Sequence, residues 1–144
     1  MTDRTDRSAA ALAELIVLLG RMVENRGRSG GLKPSQWHAL RYFQQAQAEA
    51  RTVGAFARYM MVGHTTASQT ASSLVRRKLL QVVDGPDGRA TYLEPTPAGA
   101  NLLETSDPLL EVASALRDLD EPVRDRISDA LIDLVRLILP QSPK

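Results

Sequence analysis

The 144-residue chain has no cysteine, only two histidines and a formal net charge of +1. Without cysteine there is no disulfide framework and no thiolate metal site. Two histidines among scattered acids assemble no metal-ligand set. No phosphate-binding glycine loop or paired-carboxylate motif accompanies them, so no enzymatic constellation can be built and no cofactor is expected. No apolar run approaches the roughly 18 residues of a membrane span. The opening Met-Thr-Asp-Arg-Thr-Asp-Arg also lacks the apolar core of a secretory signal, and a cytoplasmic protein with no membrane partner is expected.

The small net charge conceals an uneven distribution. Between Glu49 and Asp84 there is no acid, while Arg51, Arg58, Arg76, Arg77 and Lys78 all lie there. Residues 51–92 hold six Lys/Arg against two Asp/Glu, a local +4, and residues 93–144 hold five against ten, a local −5. A confined basic footprint is what a chain needs when one face meets nucleic acid and the rest stays in solvent.

That footprint coincides with a recognisable pattern. Val53, Phe56, Ala57 and Met60 recur at helical spacing, with Thr52 as a natural N-cap. Val62 and Gly63 break the pattern, and Gly63 is expected to take the positive φ of a tight inter-helix turn. A second helix over 64–78 places Ala67, Ala71, Leu74 and Val75 on one side and Thr65, Gln69, Ser72, Ser73 and Arg76 on the other, with Thr66 and Ser68 on the flanks. Small inner residues allow close helix approach. The outer face contains no acid and offers hydroxyl, amide and guanidinium groups that donate and accept toward base edges. A face selected for solubility alone would carry Glu/Lys pairs instead, since Ser and Thr are weaker helix formers.

Two β-prone runs then flank Gly85, Pro86, Asp87 and Gly88, which reads as a hairpin over 80–94. Its tip carries Arg89 beside Asp87, an acid placed to hold the guanidinium as it enters a narrow, electronegative minor groove.

Long amphipathic helices are expected at both ends. Leu12, Leu15, Ile16, Leu19, Met22 and Val23 form a stripe within 8–25, and Val123, Ile127, Leu131, Leu134, Val135 and Ile138 form another within 122–139, capped by Asp120 and ended by Pro140. Either the stripes fold back as core or they pair with a second copy. Thr96-Pro97 starts a further helix running to Leu119, which Asp107-Pro108 should kink or split. Arg26 to Gly31 reads as a Gly/Arg/Ser loop, and the length suits one domain whose stability a dimer interface would augment.

Taken together, Leu32-Lys-Pro-Ser-Gln-Trp37, the helix pair, Asp87-Gly-Arg89 and Leu93-Glu-Pro-Thr-Pro-Ala-Gly99 resemble the MarR family of bacterial transcription regulators. The resemblance implies a mainly α fold with a small β-hairpin wing, a winged helix-turn-helix lobe at about 32–96 flanked by dimerisation helices at 8–25 and 97–139. It implies a homodimeric, ligand-responsive repressor that binds a palindromic operator in double-stranded DNA. On this resemblance Thr65, Thr66, Ser68 and Gln69 contact bases. Arg58, His64, Ser72, Ser73, Arg76 and Arg77 face phosphate, and Asp87 and Arg89 form the wing. A small aromatic or lipophilic anionic effector would meet Met22, Trp37, His38, Arg41 and Met60, with Arg41 pairing its charge.

Three departures from the family pattern bear on function. Lys78 replaces the usual glycine, which implies a less sharply terminated recognition helix; Val83-Asp84 replaces the usual basic entry to the wing; and Gly88 stands where a second basic residue is common. The last two imply modest wing affinity. The competing class is a winged module that binds protein, or a constitutive dimer scaffold, through the same surface.

Overall fold

The computed structural model describes residues 4–27, 31–88 and 90–139. In chain order these form α1 (Arg4–Gly27), α2 (Pro34–Gln45), a 3₁₀ turn (Ala48–Ala50), α3 (Val53–Met60), α4 (His64–Arg76), β1 (Leu80–Val83), β2 (Tyr92–Pro95), α5 (Pro97–Ser106), α6 (Leu109–Arg117) and α7 (Glu121–Ile138). The mainly helical class with one small antiparallel hairpin agrees with the sequence reading. Two compact units result, Met1–Pro108 and Leu109–Lys144.

The core of the first unit is built around α2. Trp37, Leu40 and Phe43 recur at three-residue spacing along one face of α2 and are fully buried. Phe56 from α3, Leu74 from α4, Leu80 from β1 and Leu93 from β2 close over them. Phe43 and Phe56 pack at a centroid distance of 5.5 Å, and Tyr42 stands edge-on to Phe43 at 5.3 Å, the tilted geometry that ring quadrupoles favour. Pro34 opens α2 at a position where its missing N–H is harmless.

The helix ends locate the turns that sequence reading approximated. Thr52 caps α3 as expected, its hydroxyl accepting from Ala55 N at 3.2 Å. The chain then reverses at Met61, not Gly63: Met61 has φ +54°, while Gly63 is extended at φ −66° and serves as the N-cap of α4. Two hydrogen bonds hold that reversal, Val62 N to Ala57 O at 3.1 Å and Met61 N to Arg58 O at 3.2 Å. They form a Schellman closure, which fixes the left-handed residue immediately after α3 and leaves the glycine to the extended step into α4.

The end of α4 is closed the same way. Lys78 adopts φ +60°, with Leu79 N bonded to Leu74 O and Lys78 N to Val75 O, both at 2.9 Å. The helix is therefore sharply terminated despite the missing glycine, correcting the expectation drawn from Lys78. Leu79 O then receives Thr96 N at 3.0 Å, and Thr96 Oγ1 donates to Lys78 O at 2.7 Å. The start of α5 is thus docked on the end of α4. Gly99 makes this approach possible, since a Cβ there would sit 2.2 Å from Leu79 O.

The hairpin pairs Leu80 with Pro95, Gln81 with Glu94, Val82 with Leu93 and Val83 with Tyr92. Asp107-Pro108 splits the predicted long helix in two. Asp107 is extended (φ −61°, ψ 125°), the conformation a following proline imposes on its neighbour. In the second unit Asp120 occupies the N-cap of α7 without a side-chain cap bond, and Arg124 donates to Leu119 O at 2.6 Å and Arg117 O at 3.1 Å. Its cation thereby satisfies carbonyls at the end of α6. Pro140, expected to end the last helix, lies outside the described residues.

Part of each terminal stripe is exposed, while Val23 of α1 and Val123, Ile127 and Leu134 of α7 are half-buried. Leu12, Leu15, Ile16 and Leu19 of α1 are 44–58% exposed, and Leu131, Val135 and Ile138 of α7 are 46–72% exposed.

Candidate nucleic-acid interface

In α4, buried Ala67, Ala71 and Leu74 recur at four and three residues, so the opposite face must point outward. His64, Thr65, Thr66, Gln69, Ser72 and Arg76 are exposed, and Ser68 is half-buried at the edge of a groove. This groove, about 630 Å³, lies between α4, the start of α3 and the hairpin, with His64, Ser68 and Ser72 on one wall and Val82 and Leu93 on the other. Arg58 is exposed on α3. The structure thus places eight of the ten candidates for base and phosphate contact on accessible surface or at the edge of the groove.

Ser73 and Arg77 are engaged differently. Ser73 Oγ receives Gln36 Nε2 at 3.0 Å and donates to Thr70 O at 2.6 Å, while Arg77 Nη1 donates to Gly31 O at 2.6 Å. Both contacts reach back to the segment that opens α2.

At the wing, Gly85 lies flat against the Tyr92 ring, where a Cβ would come within 1.7 Å of a ring carbon. Tyr92 is buried, and that burial, followed by hydrogen bonding to Asp87, pushes its phenol above its usual value. Asp87 also accepts from Ala90 N at 3.3 Å. It organises the loop tip from within. Arg89 lies outside the described residues.

Arg51 belongs to the basic footprint but acts inside the fold. Its Nε donates to Ala46 O at 2.9 Å, its carbonyl receives Leu93 N at 2.9 Å, and its Nη1 lies 3.7 Å from Glu94 Oε2. It anchors β2 to the chain entering α3. No local pattern reveals the pairing of Arg51 with Glu94 or of Gln36 with Ser73, because those partners lie 43 and 37 residues away.

Of the five effector candidates, Trp37, His38 and Arg41 line one crevice with Val23, Glu24 and Pro34. It encloses about 10 Å³ in the single chain, the space of roughly one water. Met22 stands 43% exposed on α1, and Met60 packs against the aromatic core, so neither joins it. Arg41 Nε donates to Asp107 Oδ2 at 2.8 Å and Oδ1 at 3.0 Å. Its Nη1 lies 3.3 Å from His38 Nδ1; since guanidinium only donates, Nδ1 accepts and the ring proton resides on Nε2. Burial, and then the Arg41 charge, lower the His38 pKa below 6.5, opposed by Glu24 and Asp107. The sequence reading offered Arg41 to an anionic ligand; the fold already supplies it with a carboxylate.

The MarR family profile matches residues 30–90, which hold α2, the helix pair and the first half of the hairpin. No curated protein matches the sequence. Among solved structures, Staphylococcus aureus MepR in its DNA-binding conformation superposes with a TM-score of 0.72 at 19% identity, over 91% of this chain and 98% of that one. An S. aureus MepR–DNA complex gives 0.66 at 16% identity, over 91% and 97%. S. aureus MarR in complex with salicylate and kanamycin gives 0.70 at 18% identity, over 94% and 91%. Residues 30–90 thus match the MarR family, and the likeness to these structures extends the shared winged-helix fold beyond the profile to the terminal helices.

Proposed function

We propose that the chain acts as a homodimeric, sequence-specific DNA-binding repressor of a palindromic operator, released by a small aromatic or lipophilic anion. One observation carries the DNA-reading part: the outward face of α4 is free of acid and built from Thr65, Thr66, Ser68, Gln69, Ser72 and Arg76, beside a hairpin wing. In this reading Thr65, Thr66, Ser68 and Gln69 read base edges. Arg58, His64, Ser72 and Arg76 hold phosphates, while Asp87 shapes the wing that presents Arg89.

The dimer rests on the exposed leucines, isoleucines and valines of α1 and α7, which are too numerous to leave in water in a cytoplasmic regulator. Two copies would place two recognition helices on half-sites about one helical turn apart, roughly 34–36 Å. An effector would have to compete with Asp107 for Arg41, or enter space that a second copy completes around Trp37 and His38. A salicylate complex of S. aureus MarR makes an anionic aromatic the first class to try.

The test is titration against duplex DNA from the region upstream of the protein's own gene, with random duplex as competitor, at two salt concentrations. The proposal expects binding that survives the competitor and weakens steeply with salt, because neutralised phosphates release counterions. Gln69→Ala should weaken specific binding more than nonspecific binding, and Arg76→Ala should weaken both and reduce the salt slope. Salt-insensitive or absent binding to all duplexes would favour a protein-interaction module on the same surface.

A further inference from the structure

The inner face of α4 is unusually smooth. Of its three buried residues two are alanines, which set how close the helix lies to its neighbours but resist its rolling about its own axis only weakly. Roll matters in a reading helix: side-chain ends about 6 Å from the axis move about 1 Å for each 10° of rotation, enough to misalign a bidentate base contact.

A directed polar chain spans this interface. Gln36, the one buried polar residue among the described residues, accepts from Lys33 N through Oε1 at 2.8 Å. The amide nitrogen must then face α4, where it donates to Ser73 Oγ at 3.0 Å. With the amide acting as donor, the Ser73 hydroxyl proton is left for Thr70 O, which it meets at 2.6 Å. One helical turn further on, Arg77 donates to Gly31 O at 2.6 Å. Ser73 within α4 and Arg77 at its C-cap are four residues apart, so the helix and its end are both tied to the same 31–36 segment.

We propose that Gln36, Ser73 and Arg77 are positioning residues that fix the roll of the recognition helix, and thereby the register of Gln69 and Thr65 on base edges, without touching DNA bases themselves. The clamp acts through orientation, so it governs discrimination between sequences more than attraction to phosphate. It rests on the DNA-reading function proposed above.

The test uses the full-length protein and a duplex recovered by wild-type selection from random sequence, with an unselected duplex as reference. The variant is the double substitution Gln36→Leu/Ser73→Ala, which replaces the polar pair by apolar groups of similar size and removes both ends of their bond together; Lys33 N loses its acceptor, but on an exposed residue where water can replace it. Thermal melting verifies that it folds. The expected result is a loss of about tenfold in preference for the selected duplex, comparable to one good base contact, with affinity for the unselected duplex and the salt slope unchanged. Arg77→Gln should lower preference in the same sense with the salt slope retained, whereas a phosphate contact at Arg77 would reduce the slope by about one charge. A folded double variant that discriminates as well as wild type overturns the clamp alone. A wild-type selection that returns no preferred sequence overturns the DNA-reading function and the clamp with it.

Discussion

Replacing Lys78 by glycine should stabilise the protein, although it removes a side chain and introduces the most flexible residue. Lys78 is exposed and sits at φ +60°, so its side chain adds no packing while its Cβ bears the steric penalty of the left-handed region. That penalty is about 1–2 kcal/mol for a residue other than glycine. Glycine's extra freedom in the unfolded chain offsets about 0.5–1 kcal/mol, and losing a cation at a helix C-terminus costs about 0.3 kcal/mol more. The net is a gain of about 0.5 kcal/mol, or a rise in Tm of about 1–3 °C for a chain near 150 residues. Lys78→Ala keeps the left-handed strain and should gain nothing. Urea unfolding of the three proteins at one protein concentration is the appropriate assay, since the proposed dimerisation would make midpoints concentration-dependent. A Lys78→Gly midpoint at or below that of Lys78→Ala would refute the reasoning, because it would mean the Schellman closure is not strained by the lysine.

Gly99→Ala should destabilise by about 3 kcal/mol, because the new methyl would lie 2.2 Å from a backbone oxygen that is itself fixed by Thr96; denaturant midpoints measure it. Asp107→Ala should cost about 3 kcal/mol by leaving Arg41 unpaired where the two side chains are only 14% and 9% exposed, and Arg41→Met/Asp107→Leu should recover most of that stability in the same assay. Because the His38 pKa is lowered in the fold, the native state binds fewer protons than the unfolded chain between that lowered value and 6.5. Stability from this site is therefore complete above pH 6.5 and declines as pH falls through the lowered value; a Tm–pH profile should show it, and His38→Gln should flatten that acid limb. Leu15→Glu/Leu19→Glu on α1 should shift the sedimenting species from dimer to monomer, since both side chains are more than half exposed in the single chain and carry no fold of their own.

Local pattern made the elements legible. The three-and-four spacing of Val53, Phe56 and Met60, the Thr52 and Thr96 caps and the Asp107-Pro108 break all correspond to features of the fold, because each depends on neighbours within one or two turns. The turn between α3 and α4 was displaced by two residues: sequence favours glycine for positive φ, yet where the hydrogen bonds of a closure fall decides which residue must adopt it, and here that residue is Met61. The outward face of α4 was legible from periodicity alone. What periodicity cannot supply is the partner of a polar residue far away in sequence. Gln36 with Ser73, Arg77 with Gly31, Arg51 with Glu94 and Arg41 with Asp107 are joined only by tertiary packing. Two residues assigned to phosphate and one assigned to a ligand thus turn out to be held within the chain.

The most direct test of a paired, sequence-reading dimer is selection of duplexes from random DNA by the purified full-length protein, followed by sequencing of the bound pool. The account predicts an inverted repeat whose half-sites lie about 10 base pairs apart, centre to centre, the spacing that two copies of α4 would read. A pool without a consensus, or one carrying a single unrepeated half-site, would contradict it.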